Sequence, residues 1–307
     1  MTSKGRVAGT GGCLHPGIST PQCGRMRFTR DTLARLLLVV ALLTGCAPSS
    51  TPDTSSPSSS STSTTTSGNS NTLRVLVTND DGIGARGIDE LAGMLAEVDG
   101  VEISIWAPAS NQSGTGNATT PTDVVVAESA TRSGRSAHAV DGYPADAVLA
   151  AISQSGPFDV VVSGINAGAN IGPSRLKSGT VGAARTAVMR GVWALAVSVA
   201  RTRGAYGFRA MAPYVRSWIA EHRAAMVAGE PARLFSLNAP TCTTGTLGPV
   251  AIVPPAEDFR MLTFSPGECT DATGTSRPTD DVQAFVVGRP SLSELSVETL
   301  AGVSSSG

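Results

Sequence analysis

The chain has 307 residues, 41% of them hydrophobic and 15% charged, enough apolar material for one good-sized core. Lys and Arg (23) balance Asp and Glu (24) to a formal net charge of -1, so no global field draws in nucleic acid and any anion must be recognised locally. Glycine is abundant at 34 residues and aromatics make up only 4%, a balance that suits a loop-rich α/β enzyme better than an antiparallel sandwich.

Residues 1–46 do not read as fold. Arg27, Arg30 and Arg35 precede the apolar run Leu36 to Leu43, and Thr44-Gly45-Cys46 follows at once, the order of a secretory signal. That run is too short to span a membrane as a permanent helix. Leu43-Thr44-Gly45-Cys46 resembles a bacterial lipobox, which predicts a lipid anchor on Cys46 and an exported protein facing outward from the bacterial cell membrane. Residues 1–25 fit no part of a signal peptide, which points to Met26 as the start of translation; the alternative is a long N-terminus. Residues 47–72 are dominated by Ser, Thr and Pro and cannot bury enough apolar surface to offset the entropy of ordering, so they read as a disordered tether. The globular domain is assigned to residues 73–307.

Leu73 to Thr78 is a short apolar run that reads as a buried strand, ended by the polar turn Asn79-Asp80-Asp81-Gly82. Ile88, Leu91, Leu95 and Val98 fall at helical spacing from Gly87 onward, and Asp99-Gly100 ends the pattern. Val101 to Ala107 is the next strand, so the opening is strand, helix, strand, the unit of a parallel sheet. Val124 to Val126 and Ala137 to Val140 read as minor strands of a hairpin, Pro144 to Ile152 as a helix and Phe158 to Ser163 as a buried strand. The alanine-rich stretch Gly179 to Arg190 predicts a helix, Trp193 to Val199 a strand, and Tyr214 to Val227 a helix. The alternation predicts an α/β fold, a Rossmann-like, doubly wound and mostly parallel sheet. Five cysteines are present and only Cys242 and Cys269 lie in the globular part; in an exported domain they can pair, the alternative being two buried free thiols.

Ligands of open α/β sheets sit beyond the carboxyl ends of the strands, so the loops after Thr78, Ala107 and Ser163 are the candidates. The first carries two adjacent carboxylates, Asp80 and Asp81, whose mutual repulsion a hard divalent cation would relieve; as turn formers, Asp and Asn also have a plain reading there. The second, Ala107 to Gly114, is rich in hydroxyls and amides. The third, Ser163 to Asn170, leaves its strand through small residues that let backbone N–H groups approach an anion. Together the loops supply oxygen donors without His or Cys, the set expected for magnesium, manganese or calcium and not for zinc. Lys177-Ser178-Gly179-Thr180 opens the alanine-rich helix, where hydroxyl, ammonium and helix N-terminal N–H groups can meet a phosphate; helix capping is the competing reading for Ser178 and Thr180. His138 and His222 stand away from these loops and read as structural, His222 on an exposed helix face, while Arg185 and Arg190 read as solvated helix positions and Trp193 and Trp218 as packing.

Asn79-Asp80-Asp81-Gly82, Gly87-Ile88, Ala107-Pro108, Ser113-Gly114, Pro144-Ala145-Asp146, Ser163-Gly164-Ile165-Asn166-Ala167-Gly168 and Ser178-Gly179-Thr180-Val181 occur in the order seen in the SurE family of nucleotidases. The resemblance runs from Leu73 to about Val199 and more faintly through Leu234 to Pro240 and Thr279 to Leu292. It implies a Rossmann-like core, a C-terminal extension used in homodimerisation, and divalent-metal-dependent release of phosphate from nucleoside monophosphates. Carried over by position, the ligands of one ion, magnesium or manganese, fall on Asp80, Asp81, Ser113 and Asn166. Either aspartate can also orient a water or form an aspartyl phosphate. Asn79, Gly114, Gly168, Asn170, Lys177, Ser178, Gly179 and Thr180 fall around the phosphate. Ala109, Tyr143, Pro173, Ser174, Lys177 and Thr186 depart from the family pattern; they spare the ligands and reshape the rim of the site. The rival from another class is a lipid-anchored protein that binds a small phosphorylated ligand without turnover. A receiver domain would need an Asp where Asn166 stands, and a haloacid-dehalogenase-type phosphatase would need Asp-x-Asp at the first strand.

Overall fold

A computed structural model describes residues 72–202, 205–259 and 268–298. The signal segment, Cys46 and the tether up to residue 71 lie outside them. In chain order the elements are β1 (Leu73–Thr78), α1 (Arg86–Ala96), β2 (Val101–Pro108), β3 (Val126–Ala130), β4 (Ser136–Val140), α2 (Pro144–Ser155) and β5 (Val160–Ala167). They continue with α3 (Gly179–Met189), β6 (Trp193–Val199), α4 (Ala212–Val227), β7 (Leu234–Ala239), β8 (Ala251–Ile252), α5 (Asp281–Val286) and β9 (Ser291–Leu295). A 3-10 turn over Gly172–Lys177 leads into α3.

Nine strands form one sheet in the order β8-β9-β7-β6-β5-β1-β2-β4-β3. The six strands from β4 to β7 are mutually parallel. β3 closes one edge antiparallel to β4, and β9 runs antiparallel to β7 near the other. The alternation of side chains along each strand divides the core into two layers. Val75, Val77, Val160, Val162, Leu195 and Val197 meet Leu91 and Leu95 of α1 and Val215 and Ile219 of α4. Leu76, Val161, Ala194 and Ala196 meet Ala147 and Val148 of α2 and Val181, Ala184 and Ala187 of α3. Burying each large side chain such as Leu76 or Leu91, both 0% exposed, contributes about 2 kcal/mol. Both faces of the central strands are thus covered, which is why they read as unbroken apolar runs.

Several details differ from the sequence reading, and β5 spans Val160–Ala167 where that reading ran from Phe158 to Ser163. β3 begins at Val126, where that reading had the strand end, because Val124 and Val125 stand outside the ladder that Val126 opens against Val140. His222 is half-buried and not on an open face: its ring lies 4.9 Å from that of Trp218 and 5.0 Å from that of Phe235, and the apolar neighbours cover it. Arg185 is not merely solvated, since its Nε donates to the Val297 carbonyl at 2.9 Å and ties α3 to the C-terminal segment. Trp193 and Trp218 are buried, and His138 stacks on Trp106 with ring centroids 4.0 Å apart.

Beyond β7 the C-terminal extension makes an excursion before returning as β9. Cys242 and Cys269 form a disulfide across it, with Cα atoms 5.5 Å apart. No helix among the described residues is long and apolar enough to cross a membrane.

Candidate functional site

β1 and β5 are neighbours, but the chain passes from β1 to β2 on one side and from β5 to β6 on the other. The loops leaving the carboxyl ends of β1 and β5 therefore diverge and open a crevice, the usual place for a ligand in a doubly wound sheet.

Asn79 shapes the first loop. Fully buried, its side-chain amide donates to the Gly82 carbonyl at 3.0 Å and accepts the Gly82 N–H at 3.2 Å, clamping the four-residue turn. Gly82 sits at φ 97°, which L side chains rarely adopt, so the turn needs glycine there. The clamp holds Asp80 inward at 2% exposure and Asp81 beside it, half-buried. Burial pushes the Asp80 carboxyl up to about 6, with repulsion from Asp81 adding to the rise and the Thr180 hydroxyl opposing it. Burial also raises Asp81, against the Ala167 N–H that donates to its Oδ2 at 3.0 Å. Neither carboxylate has a cationic side-chain partner among the described residues.

The second loop is tied to the first by its backbone, the Gln112 N–H donating to the Asp80 carbonyl at 2.7 Å. Ser113, the next residue, is exposed; its N–H is held by Asn111 Oδ1 at 2.9 Å, and its hydroxyl has no partner among the described residues. Gly114 has φ 82° and open space around it. In the third loop the register of β5 against β6 shifts between Ser163 and Asn166, a bulge that re-aims the end of the strand. Asn166 donates from Nδ2 to the Gly168 carbonyl at 2.7 Å, and no described group donates to its amide oxygen. Asn170 is spent inside the protein: its N–H donates to Asn238 Oδ1 at 2.7 Å and its amide to Ser198 Oγ at 2.9 Å.

Ser178 and Thr180 separate into two roles. Ser178 is the N-cap of α3, accepting the Val181 N–H at 3.1 Å. Thr180 does not cap; its hydroxyl donates to Asp80 Oδ1 at 2.7 Å. Gly179 between them lies so close to Asp80 that a Cβ there would stand 2.7 Å from the aspartate Cβ. Lys177 is exposed at the start of this turn, its carbonyl accepting the Gly116 N–H at 3.1 Å. The structure thus brings together Asp80, Asp81, the β5 loop and the α3 N-terminus, with the Ser113 loop anchored to the same turn.

Several supporting groups carry no motif of their own. Asp281 of α5, 2% exposed, accepts the Gly172 N–H at 3.0 Å and the Ala256 N–H at 2.8 Å, so the C-terminal extension holds the turn leading to Ser178. Buried Arg175 reinforces this through the carbonyls of Gly172 and Ala256, each at 2.7 Å. In the sequence Asp281 falls only within the faint family resemblance of Thr279 to Leu292, and nothing in its spacing relates it to Gly172. Asp146 accepts from Thr120 and from the Tyr143 N–H, anchoring the second loop's return to α2. Below the crevice, Thr78 and Ser163 face each other in register across β1 and β5, and both hydroxyls are buried without a partner.

No group of three His, Cys, Asp or Glu able to hold a metal occurs among the described residues. The donors here are instead two carboxylates, a hydroxyl and an amide oxygen. Two desolvated neighbouring carboxylates without a cationic side-chain partner among the described residues, on loops that also carry uncharged oxygen donors, fit a hard divalent ion.

The family model described as Survival protein SurE matches residues 75–258. A 5'-nucleotidase SurE from Rhodopirellula baltica is 40% identical over 188 residues, covering 59% of this chain and 72% of the relative. Proteins of the same name from Halobacterium salinarum and Syntrophobacter fumaroxidans are 38% and 42% identical; the matches cover 63% and 41% of this chain, and 75% and 51% of those relatives. The crystal structure of the Sure protein from Aquifex aeolicus matches with a TM-score of 0.58 at 20% identity, over 73% of this chain and 93% of that one, a likeness of fold.

Proposed function

The chain belongs to the SurE family, and on that premise we propose that it is a phosphoric monoester hydrolase releasing phosphate from 5'- or 3'-nucleoside monophosphates. The observation that carries the chemistry is the adjacent pair of buried Asp80 and half-buried Asp81, both desolvated and without a cationic partner among the described residues. Asp80, Asp81, Ser113 and Asn166 would hold one magnesium or manganese ion. When bound, such an ion supplies Lewis-acid polarisation and charge neutralisation at the phosphoryl group.

The chain's own groups supply the rest. The first turn of α3 presents backbone N–H groups and the positive end of its dipole to a phosphate, with Ser178 capping the helix and Lys177 at the rim. Gly114 and Gly168 leave room for the substrate on the second and third loops, while Asn79 and Asn170 hold loop geometry through their internal bonds. Asp81 keeps Oδ1 without a described partner, and this oxygen orients the attacking water in line with the leaving oxygen.

The same reading includes export, a lipid anchor on Cys46 and homodimerisation through the C-terminal extension. The lipobox-like Leu43-Thr44-Gly45-Cys46 after an apolar run supports the anchor. Light scattering on the purified chain tests the dimer.

Phosphate release by the full chain from a panel of nucleoside monophosphates, with magnesium or manganese and then with chelator, tests the activity. Release that stops on chelation is expected. A protein that binds the ion and the nucleotide without turnover is instead a lipid-anchored capture protein.

A further inference from the structure

We infer that Thr180 is a positioning residue for the metal site, holding the Asp80 carboxylate in its ligating orientation rather than contacting the substrate phosphate. The inference rests on the proposed metal-dependent hydrolysis and concerns how the chain prepares the site for its ion.

A threonine hydroxyl has one proton to give. Here it is given to Asp80 Oδ1 at 2.7 Å, in surroundings where both Thr180 and Asp80 are almost wholly buried. A phosphate oxygen at neutral pH needs a donor, and a hydroxyl already committed to a carboxylate offers only lone pairs. The geometry therefore separates the residues of the α3 turn. Ser178 spends its side chain on the helix cap, Gly179 keeps the helix within contact of Asp80, and Thr180 fixes the carboxylate.

The bond also divides the two oxygens of Asp80. Oδ1 is engaged by the hydroxyl, and backbone N–H groups of Asp80 and Thr180 also favour the ionised carboxyl, while Oδ2 has no side-chain donor among the described residues. A carboxylate held this way loses little torsional freedom when an ion binds, which is how a ligand's hydrogen-bond partner raises metal affinity. Thr180 lies 100 residues from Asp80 in sequence, so α3 must dock on the β1 loop before the ligand is oriented. Folding of the second half of the sheet and readiness of the site are thereby linked.

The test is isothermal titration of manganese into the metal-free full chain for wild type, Thr180→Val and Thr180→Ser, followed by steady-state kinetics at saturating metal. Thr180→Val removes the donor and keeps the shape. It is expected to weaken manganese binding by about tenfold or more, the effect of losing a hydrogen bond to a charged group. Thr180→Ser restores the hydroxyl and should return affinity to within about threefold of wild type, and KM for the nucleotide at saturating manganese should stay close to wild type in both variants. Wild-type affinity in Thr180→Val would overturn the positioning role, and a raised KM beside it would assign the hydroxyl to the phosphate. Equal weakening in both variants would reduce Thr180 to packing. If wild type itself binds no divalent ion, the proposed function fails, and this role with it; the variants then need no comparison.

Discussion

Asp80 bears an electrostatic cost that the rest of the site exists to exploit. Its folded pKa of about 6 stands above the ordinary 3.8, so folding favours the protonated acid. In the metal-free protein this group costs nothing extra below about pH 4. The cost grows as pH rises toward 6 and stands in full above it, at about 3 kcal/mol as an upper bound. Asp80→Asn removes the charge and keeps an acceptor for Thr180. The variant is expected to raise the melting temperature of the chelator-treated protein at pH 7 by a few degrees and to change it little at pH 4. Differential scanning calorimetry at the two pH values checks this, and a lower melting temperature at pH 7 would speak against a buried, unpaired carboxylate. Ser163 carries the opposite kind of cost: its hydroxyl is buried without a partner. Ser163→Ala should therefore be neutral or stabilising, by up to about 1 kcal/mol, in urea unfolding. Asp80 and Asp81 stand out in the sequence because two carboxylates interrupt an apolar run. The idle hydroxyl of Ser163 and the donor from Ala167 do not, since neither follows from residue type.

Among the elements, α3 does most to assemble the site, and its sequence says why. Ser178 caps it, glycine and alanine fill its inward face, and a small first residue lets its N-terminus reach Asp80. Ser178→Ala is expected to lose about 1 kcal/mol of stability in chemical unfolding, the usual cost of a lost N-cap. Gly179→Ala places a methyl 2.7 Å from the Asp80 Cβ, so α3 must retreat. Phosphate release should fall by more than about tenfold, with the circular dichroism of the helices unchanged. Buried parallel strands such as β1 and β6 were legible from end to end because both faces are covered and the apolar run is continuous. β5 was not: it runs on to Ala167 through a bulge, and the polar Ser163, Gly164 and Asn166 look like a loop in a one-dimensional reading. The bulge turns on contacts with β6, which sequence spacing does not encode. The same limit applied to Thr180, where capping and ligand contact were both open and the bond to Asp80 came from packing between distant segments.

For the molecule as a whole, the doubly wound class follows from alternation alone, whereas strand order depends on which crossover goes to which side. That order matters here because the switch between β1 and β5 places the two carboxylates beside the Asn166 loop. The C-terminal extension adds a second layer of support: Asp281 and Arg175 hold the turn before α3, and the Cys242–Cys269 disulfide closes the preceding excursion over a separation of 27 residues. Cys242→Ser should cost about 3 kcal/mol in unfolding monitored under oxidising conditions. The direct test of the site is phosphate release from a nucleoside monophosphate at pH 7 with saturating manganese, wild type beside Asp80→Asn and Asp81→Asn. Wild type is expected to turn over only with the ion, and each variant to lose about a hundredfold or more in kcat/KM. Undiminished release in chelator, or by either variant, would contradict a metal held by this carboxylate pair.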